Sequence, residues 1–488
     1  MSNQIRIGWA STSITPDRPV FIAGQMYPRI SSYVHDPITA TALAIENGKD
    51  QMTMVSLDMV NVPRTVCDKF RSKLNDIPDL DVSKVSFNGT HTHNSLRGIE
   101  DPYRNNFEHY LGLEKITCFD MPDDILYGED ESDFLANRVH QIIKDAWASR
   151  KEGSIAFAHD YAAVAFNRRP VFKNPDGTEQ SVMYGCCSKE NFVRMEGPSD
   201  HSVEMLFTFD DKRNLTGAAI NIPCPSQVHE LHRYISADYW TEVRGQVRKK
   251  LGNINILPLC GAAGDQNPLD LIEISKTNEK ELELWNAQAG EVFRNFDMGE
   301  ICHGIGERVS DCVARGFRKA VNAIESYPVL NHRIIRLSMP IRKVTADDYK
   351  QALEAIDKAR SSFSADHKMT SEDMVKVFEP IGIARRWELQ NTKPMFDFSC
   401  HVIRLGTASI ATNPFELFTE YGLRMKARCH ASQLFIVQLC DDAGVYLPTQ
   451  TAINGGSYSS KPASTIVGPK QGDELVEAIL EAEKENWI

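Results

Sequence analysis

The chain has no apolar run long enough to cross a bilayer. Its N-terminus, Met1-Ser2-Asn3-Gln4-Ile5-Arg6-Ile7-Gly8-Trp9-Ala10, has no basic start followed by an apolar stretch. Neither a membrane span nor a secretory leader is expected, so the sequence reads as cytoplasmic and without a membrane partner. It also lacks a basic tract. With 54 Lys and Arg against 66 Asp and Glu, the net charge is −12, which excludes a general nucleic-acid binder. No Cys-x-x-Cys pair occurs among the eleven cysteines, although Cys186 and Cys187 are adjacent. An odd count without an export signal reads as reduced, mostly buried thiols, not a disulfide framework. Internal repeats, low-complexity tracts and heptads are absent, and no Pro-, Gly- or Ser-rich linker divides the chain. One intertwined domain over residues 1–488 is therefore expected.

What is present is an ordinary globular composition, 42% hydrophobic and 25% charged, with strand and helix patterns alternating throughout. Residues 51–58 read as a strand, 64–75 as a helix and 84–87 as a strand, a unit that predicts a locally parallel pair. A helix over 131–150 carries the apolar stripe Leu135, Val139, Ile142, Ile143 and Ala146. Strands are expected near 155–159, 204–209, 218–222, 254–259, 401–405, 409–411 and 434–439. Helices are expected near 239–251, 279–293, 307–324 and 472–485. Residues 345–392 read as a helical hairpin inserted on the surface. The fold class is α/β, with mixed β-sheets flanked by α-helices.

Polar clusters follow several of these strands. His91 and His93, in Thr90-His91-Thr92-His93, leave a strand end one residue apart, and strand alternation would point both imidazoles the same way. That placement suits a metal or a proton-transfer site, against the alternative of two satisfied turn histidines. Ser226-Gln227-Val228-His229-Glu230-Leu231-His232 lacks the four-residue spacing of His-Glu-x-x-His, so the zinc-protease reading fails; His229 or His232 is a loop ligand or a structural residue. Cys260-Gly261-Ala262-Ala263-Gly264-Asp265-Gln266-Asn267-Pro268 lets a backbone approach a ligand closely, or is a plain turn; it is not a phosphate loop. Glu416 sits among apolar residues and needs a partner, a metal or a helix start to remain charged. Asp441-Asp442-Ala443-Gly444-Val445-Tyr446-Leu447-Pro448-Thr449 again follows a strand. The shared placement points to one cleft lined by several loops.

In order, Thr90-His91-Thr92-His93, Asn167-Arg168-Arg169-Pro170, a loop histidine, Ala263-Gly264-Asp265-Gln266-Asn267-Pro268, Pro414-Phe415-Glu416 and Tyr446-Leu447-Pro448-Thr449 resemble the neutral/alkaline ceramidases over most of the chain. The resemblance implies the catalytic domain of that family, here without its C-terminal immunoglobulin-like sandwich domain. It implies one Zn2+ ion held by His91, His229, Glu416 and Tyr446, with another divalent metal compatible. It also implies that His93 contacts the reacting oxygen and that Arg168 lies beside the substrate. Where the family motif has a serine before the proline, this chain has Asn267. An amide cannot form an acyl-enzyme, so a metal-activated water, its pKa lowered towards roughly 7, would attack directly, with Asn267 donating to the oxyanion.

The expected function is a zinc-dependent, amidase-like hydrolase acting on a carbonyl, most simply an amide of a small, polar, soluble molecule. Two alternatives stand beside it: a metal-dependent lyase or glycoside-processing enzyme, and a ligand-binding protein without turnover. The expected partner is a small-molecule substrate; self-association into a homo-oligomer is left open.

Overall fold

The computed structural model describes residues 4–98, 109–112, 122–276, 284–287, 290–293, 298–364 and 367–488. Eight strands form the larger sheet: β1 (Arg6–Ser13), β2 (Thr39–Glu46), β3 (Gln51–Leu57), β4 (Val85–Gly89), β5 (Lys151–Tyr161), β6 (Ser202–Asp210), β7 (Leu215–Ile222) and β8 (Asn255–Cys260), in the order β8-β7-β6-β5-β1-β2-β3-β4. A second sheet has the order β9-β10-β11-β12, from β9 (Leu330–Pro340), β10 (Met395–Leu405), β11 (Ala408–Thr412) and β12 (Gln433–Val437). Most neighbours are antiparallel. Parallel pairing occurs at β3/β4, β7/β8 and β11/β12. The first of these is the pair expected from the strand–helix–strand pattern.

The layers follow from strand periodicity. In β2, Ala40, Ala42 and Ala44 face one way, and helix α2 (Glu129–Ala148) settles on these small side chains through Ala136, Val139, Ile143 and Ala146. Leu43 and Ile45 face the other way, into a core shared with Ile403, Leu405, Ile410, Phe435 and Val437 of the second sheet. Alternation in a strand sends residues to both faces, so the two sheets pack face to face. Helices α3 (Tyr239–Leu251) and α4 (Met298–Ala320) share the core of α2 on the outer face of the large sheet. Phe396 and Phe398 of β10 meet α7 (Thr419–Arg428) and α8 (Pro469–Glu485) through Tyr421, Met425, Leu475 and Ile479. The order is helix, sheet, sheet, helix.

Strand twist of roughly 20–25° per neighbour accumulates across the large sheet and curls it, edge towards edge. Ser56 of β3 and Asn88 of β4 both donate to the carbonyl of Pro258 on β8. Helix α1 (Arg64–Ser72) crosses between β3 and β4. Helices α5 (Ala346–Ser361) and α6 (Ser371–Thr392) form a hairpin in which each helix starts with a capping box, Thr345 with Asp348 and Thr370 with Asp373. Among the described residues no helix is long and apolar enough to cross a membrane.

The expected helix at 279–293 is corrected where it is described. Leu284–Ala287 and Gly290–Phe293 form an antiparallel pair with Trp285 opposite Val292, and Trp and Val are residue types enriched in strands. The rest of that segment lies outside the described residues.

Candidate functional site

Five loops meet at one place, and each leaves the C-terminal end of a strand in a parallel pair: β4, β7, β8, β11 and β12. β4 stops at Gly89, so strand alternation does not reach the two histidines. A kink does the work instead. His91 has φ 66°, a conformation uncommon for a residue with a Cβ, and its N–H donates to the Met59 carbonyl. The rings then meet at 4.9 Å between centroids, with Nε2 of His91 3.4 Å from Nε2 of His93. The backbone at Gly24 lies close against His93: a Cβ there would come within 2.4 Å of its Cγ.

Nδ1 of His91 is 2.8 Å from the Val60 carbonyl. A carbonyl only accepts, so Nδ1 carries a proton, and Nε2 is the nitrogen turned to the centre. It faces Glu416 Oε2 at 3.5 Å. A lone pair and a carboxylate opposed in a buried place are unfavourable unless a cation or proton lies between them.

Glu416 and Tyr446 are register partners in a short parallel pairing of Glu416–Leu417 with Tyr446–Leu447. The turn delivering Tyr446 is strained, with positive φ at Leu439, Asp441 and Val445. Gly264 explains the small-residue motif: a Cβ there would lie 2.3 Å from the Glu416 carbonyl oxygen. Asp265 braces the same junction, accepting from Thr419 N–H and Oγ1 and from Asn167 Nδ2.

Arg168 enters from the segment that pairs with residues 266–267. Its N–H donates to the Asp265 carbonyl, and its Nη2 donates to Tyr446 OH and to the Gly264 carbonyl, both at 3.0 Å. Nε of Arg168 is buried without a partner among the described residues. Burial raises the Tyr446 phenol well above its ordinary range; the Arg168 charge opposes this and the Glu416 charge adds to it. Burial, reinforced by His91, Arg29 and Arg168, drives His93 well below the usual imidazole range and keeps it neutral.

Two of the expected residues have their contacts elsewhere. For His229, Nδ1 meets Tyr234 OH at 2.9 Å and Nε2 meets Cys302 Sγ at 3.4 Å. Its N–H is bound by Asp238, so the loop turns this ring towards α4. Asn267 is held by its neighbours through both amide atoms. Its Nδ2 donates to Tyr184 OH at 2.6 Å and its Oδ1 accepts from Leu269 N–H. Its contact with the centre runs through Tyr184, whose hydroxyl is 3.5 Å from Arg168 Nη1.

Four residues join the centre that sequence reasoning missed. Gln227 Nε2 lies 2.8 Å from His93 Nε2, and Glu230 Oε2 lies 3.3 Å from His93 Nδ1. Burial raises the Glu230 carboxyl, against the pull of Arg168 and Arg29. Both residues sit inside the motif around His229, where the histidines draw attention away from them. Tyr184 has no local signal. Nor has Arg29, which donates to the carbonyls of Ala23, His93, Glu230 and His232 and so ties three loops together.

Tested as a cation site, the donors implied by the family fit at three positions of four. His91 offers a lone pair, Glu416 a carboxylate beside it, and Tyr446 a phenol next in register; the loop imidazole is missing. Among the described residues no three His, Cys, Asp or Glu side chains group closely enough to hold a metal by themselves.

No family model matches the sequence, and no curated protein matches it. Solved structures do match the fold. The neutral ceramidase from Pseudomonas aeruginosa superposes with a TM-score of 0.66 at 14% identity, covering 98% of this chain and 74% of that one. A structure of ceramidase complexed with C2 gives 0.64, again at 14% identity and the same coverage. The chain has a ceramidase-like fold.

Proposed function

We propose that the chain is a hydrolase that splits a carbonyl–nitrogen bond, an amide, of a small polar substrate at the centre built on His91, His93, Arg168, Glu416 and Tyr446. The observation that carries the reading is the buried opposition of His91 Nε2 and Glu416 Oε2 at 3.5 Å, with His93 Nε2 at 3.4 Å. The ceramidase-like fold supports the choice of an amide. A divalent cation, zinc by donor chemistry, would be held by His91, Glu416 and Tyr446, and would supply a Lewis acid and a water of lowered pKa.

The remaining steps belong to the chain's own groups. His93, neutral and with Nε2 at the centre, takes the proton of the attacking water as the oxygen bonds to the carbonyl carbon, and returns it to the departing nitrogen. Glu230 beside Nδ1 steadies the ring in its protonated form. Arg168 faces the negative charge that develops on the carbonyl oxygen. Asn267 holds Tyr184, which borders the same guanidinium.

The test is a screen of small N-acyl compounds with purified protein, read by product mass. Hydrolysis yields fragments whose summed mass exceeds the substrate by one water. Fragments that sum to the substrate mass would mean elimination and would overturn the reading, as would no turnover of any amide.

A further inference from the structure

We infer that Gln227, not His229, is the side chain with which the 223–232 loop completes the centre, so that a neutral amide stands where the resemblance calls for an imidazole. The inference rests on the reading of the centre given above and concerns which side chain the loop supplies. Both ring nitrogens of His229 are occupied, by Tyr234 OH and by Cys302 Sγ, and its backbone N–H is pinned by Asp238. Freeing that ring for the centre would break both ring contacts in a buried place. Gln227 points the other way. It is 3% exposed, its amide nitrogen is 2.8 Å from His93 Nε2, and its Oε1 is buried with no partner among the described residues. An orphaned carbonyl oxygen beside a cluster of lone pairs is a group held ready for a ligand.

One chemical consequence follows. An amide oxygen is a harder and weaker ligand than an imidazole. A donor set of His91 nitrogen with Glu416, Tyr446 and Gln227 oxygens therefore favours zinc over manganese less strongly than a set with a second ring nitrogen would.

The experiment titrates Zn2+ and Mn2+ into the metal-stripped full chain in competition with a chromophoric chelator, so no activity is needed. Wild type is compared with His229→Ala, the milder His229→Asn, Gln227→His and His91→Ala, with circular dichroism confirming that each is folded. His91→Ala should weaken zinc binding at least tenfold, whereas the folded His229 variants should stay within twofold of wild type. Gln227→His should bind zinc at least tenfold more tightly and raise the zinc-to-manganese preference; if wild type binds too weakly to titrate, this variant should bring binding into range. The inference is overturned if His229→Asn loses zinc as His91→Ala does, or if Gln227→His binds zinc no better than wild type. Failure of the amide screen with these titrations as expected would count against the hydrolase reading alone.

Discussion

Asp441→Asn is the substitution whose effect can be worked out most fully from the structure. Asp441 opens the strained turn before Tyr446 and joins three other elements. Its Oδ1 accepts from Phe87 N–H of β4 and from Arg71 of α1, and its Oδ2 faces His401 Nε2 of β10 at 3.1 Å. Burial alone would raise its carboxyl. Arg71, His401 and the Phe87 N–H overcome that and hold it down at about 2, against an ordinary 3.8. A folded-state value below the unfolded one stabilises the fold in full above the unfolded value, and the gain is lost as pH falls from about 4 to about 2. The linkage is worth about 2–3 kcal/mol at neutral pH, towards the lower end because Arg71 is partly exposed. Asparagine keeps the shape and tolerates the φ of 63° found here, so the substitution isolates the charge. Urea unfolding at pH 7 should show a loss of about 2 kcal/mol, and the gap from wild type should narrow as pH is lowered through 4. A loss under about 0.5 kcal/mol, or a gap that does not change with acid, would refute the argument.

Two more outcomes follow from local geometry. Glu131 accepts from the N–H groups of Arg97 and Gly98, and burial pushes its carboxyl up to about 7 from 4.5. A raised acid is the reverse case: its stabilisation is complete below 4.5 and disappears as pH rises to about 7, a swing of roughly 3 kcal/mol. Glu131→Gln keeps the acceptor and should flatten unfolding free energy across that window; an unchanged pH slope would contradict this. Gly264→Ala places a Cβ on the Glu416 carbonyl and should cost about 1–3 kcal/mol, measured by thermal melting, with amide turnover falling at least tenfold; a variant with wild-type stability and rate would show that the close approach is not required.

Much of the scaffold was legible because its elements carry clear periods. The stripe of α2 is buried as its 3.6-residue spacing demands, and the parallel β3/β4 pair follows from a strand–helix–strand run. Less visible were β1, β2 and β9. In β2 both faces are buried, alanines against a helix and Leu43 and Ile45 against a sheet, so the apolar–polar alternation that marks a half-exposed strand is missing. The histidine pair at 91 and 93 does converge, but through a left-handed kink at His91 instead of the strand period. Glu416 and Tyr446 are joined by a two-residue pairing too short to leave a pattern. For His229 the motif gives spacing and not direction: its contacts are to Asp238, Tyr234 and Cys302, all outside the motif, while Gln227, two residues earlier, lies against His93.

The central claim is that loops more than three hundred residues apart in sequence form a single working unit, and a double-mutant cycle on His91→Ala and Glu416→Gln tests it most directly. Measured as kcat/KM on an amide substrate, each single change should cost most of the rate, and the double variant should be little worse than either, because groups that act together cannot be lost twice. If the two losses multiply, His91 and Glu416 work independently and the account of one shared centre is wrong.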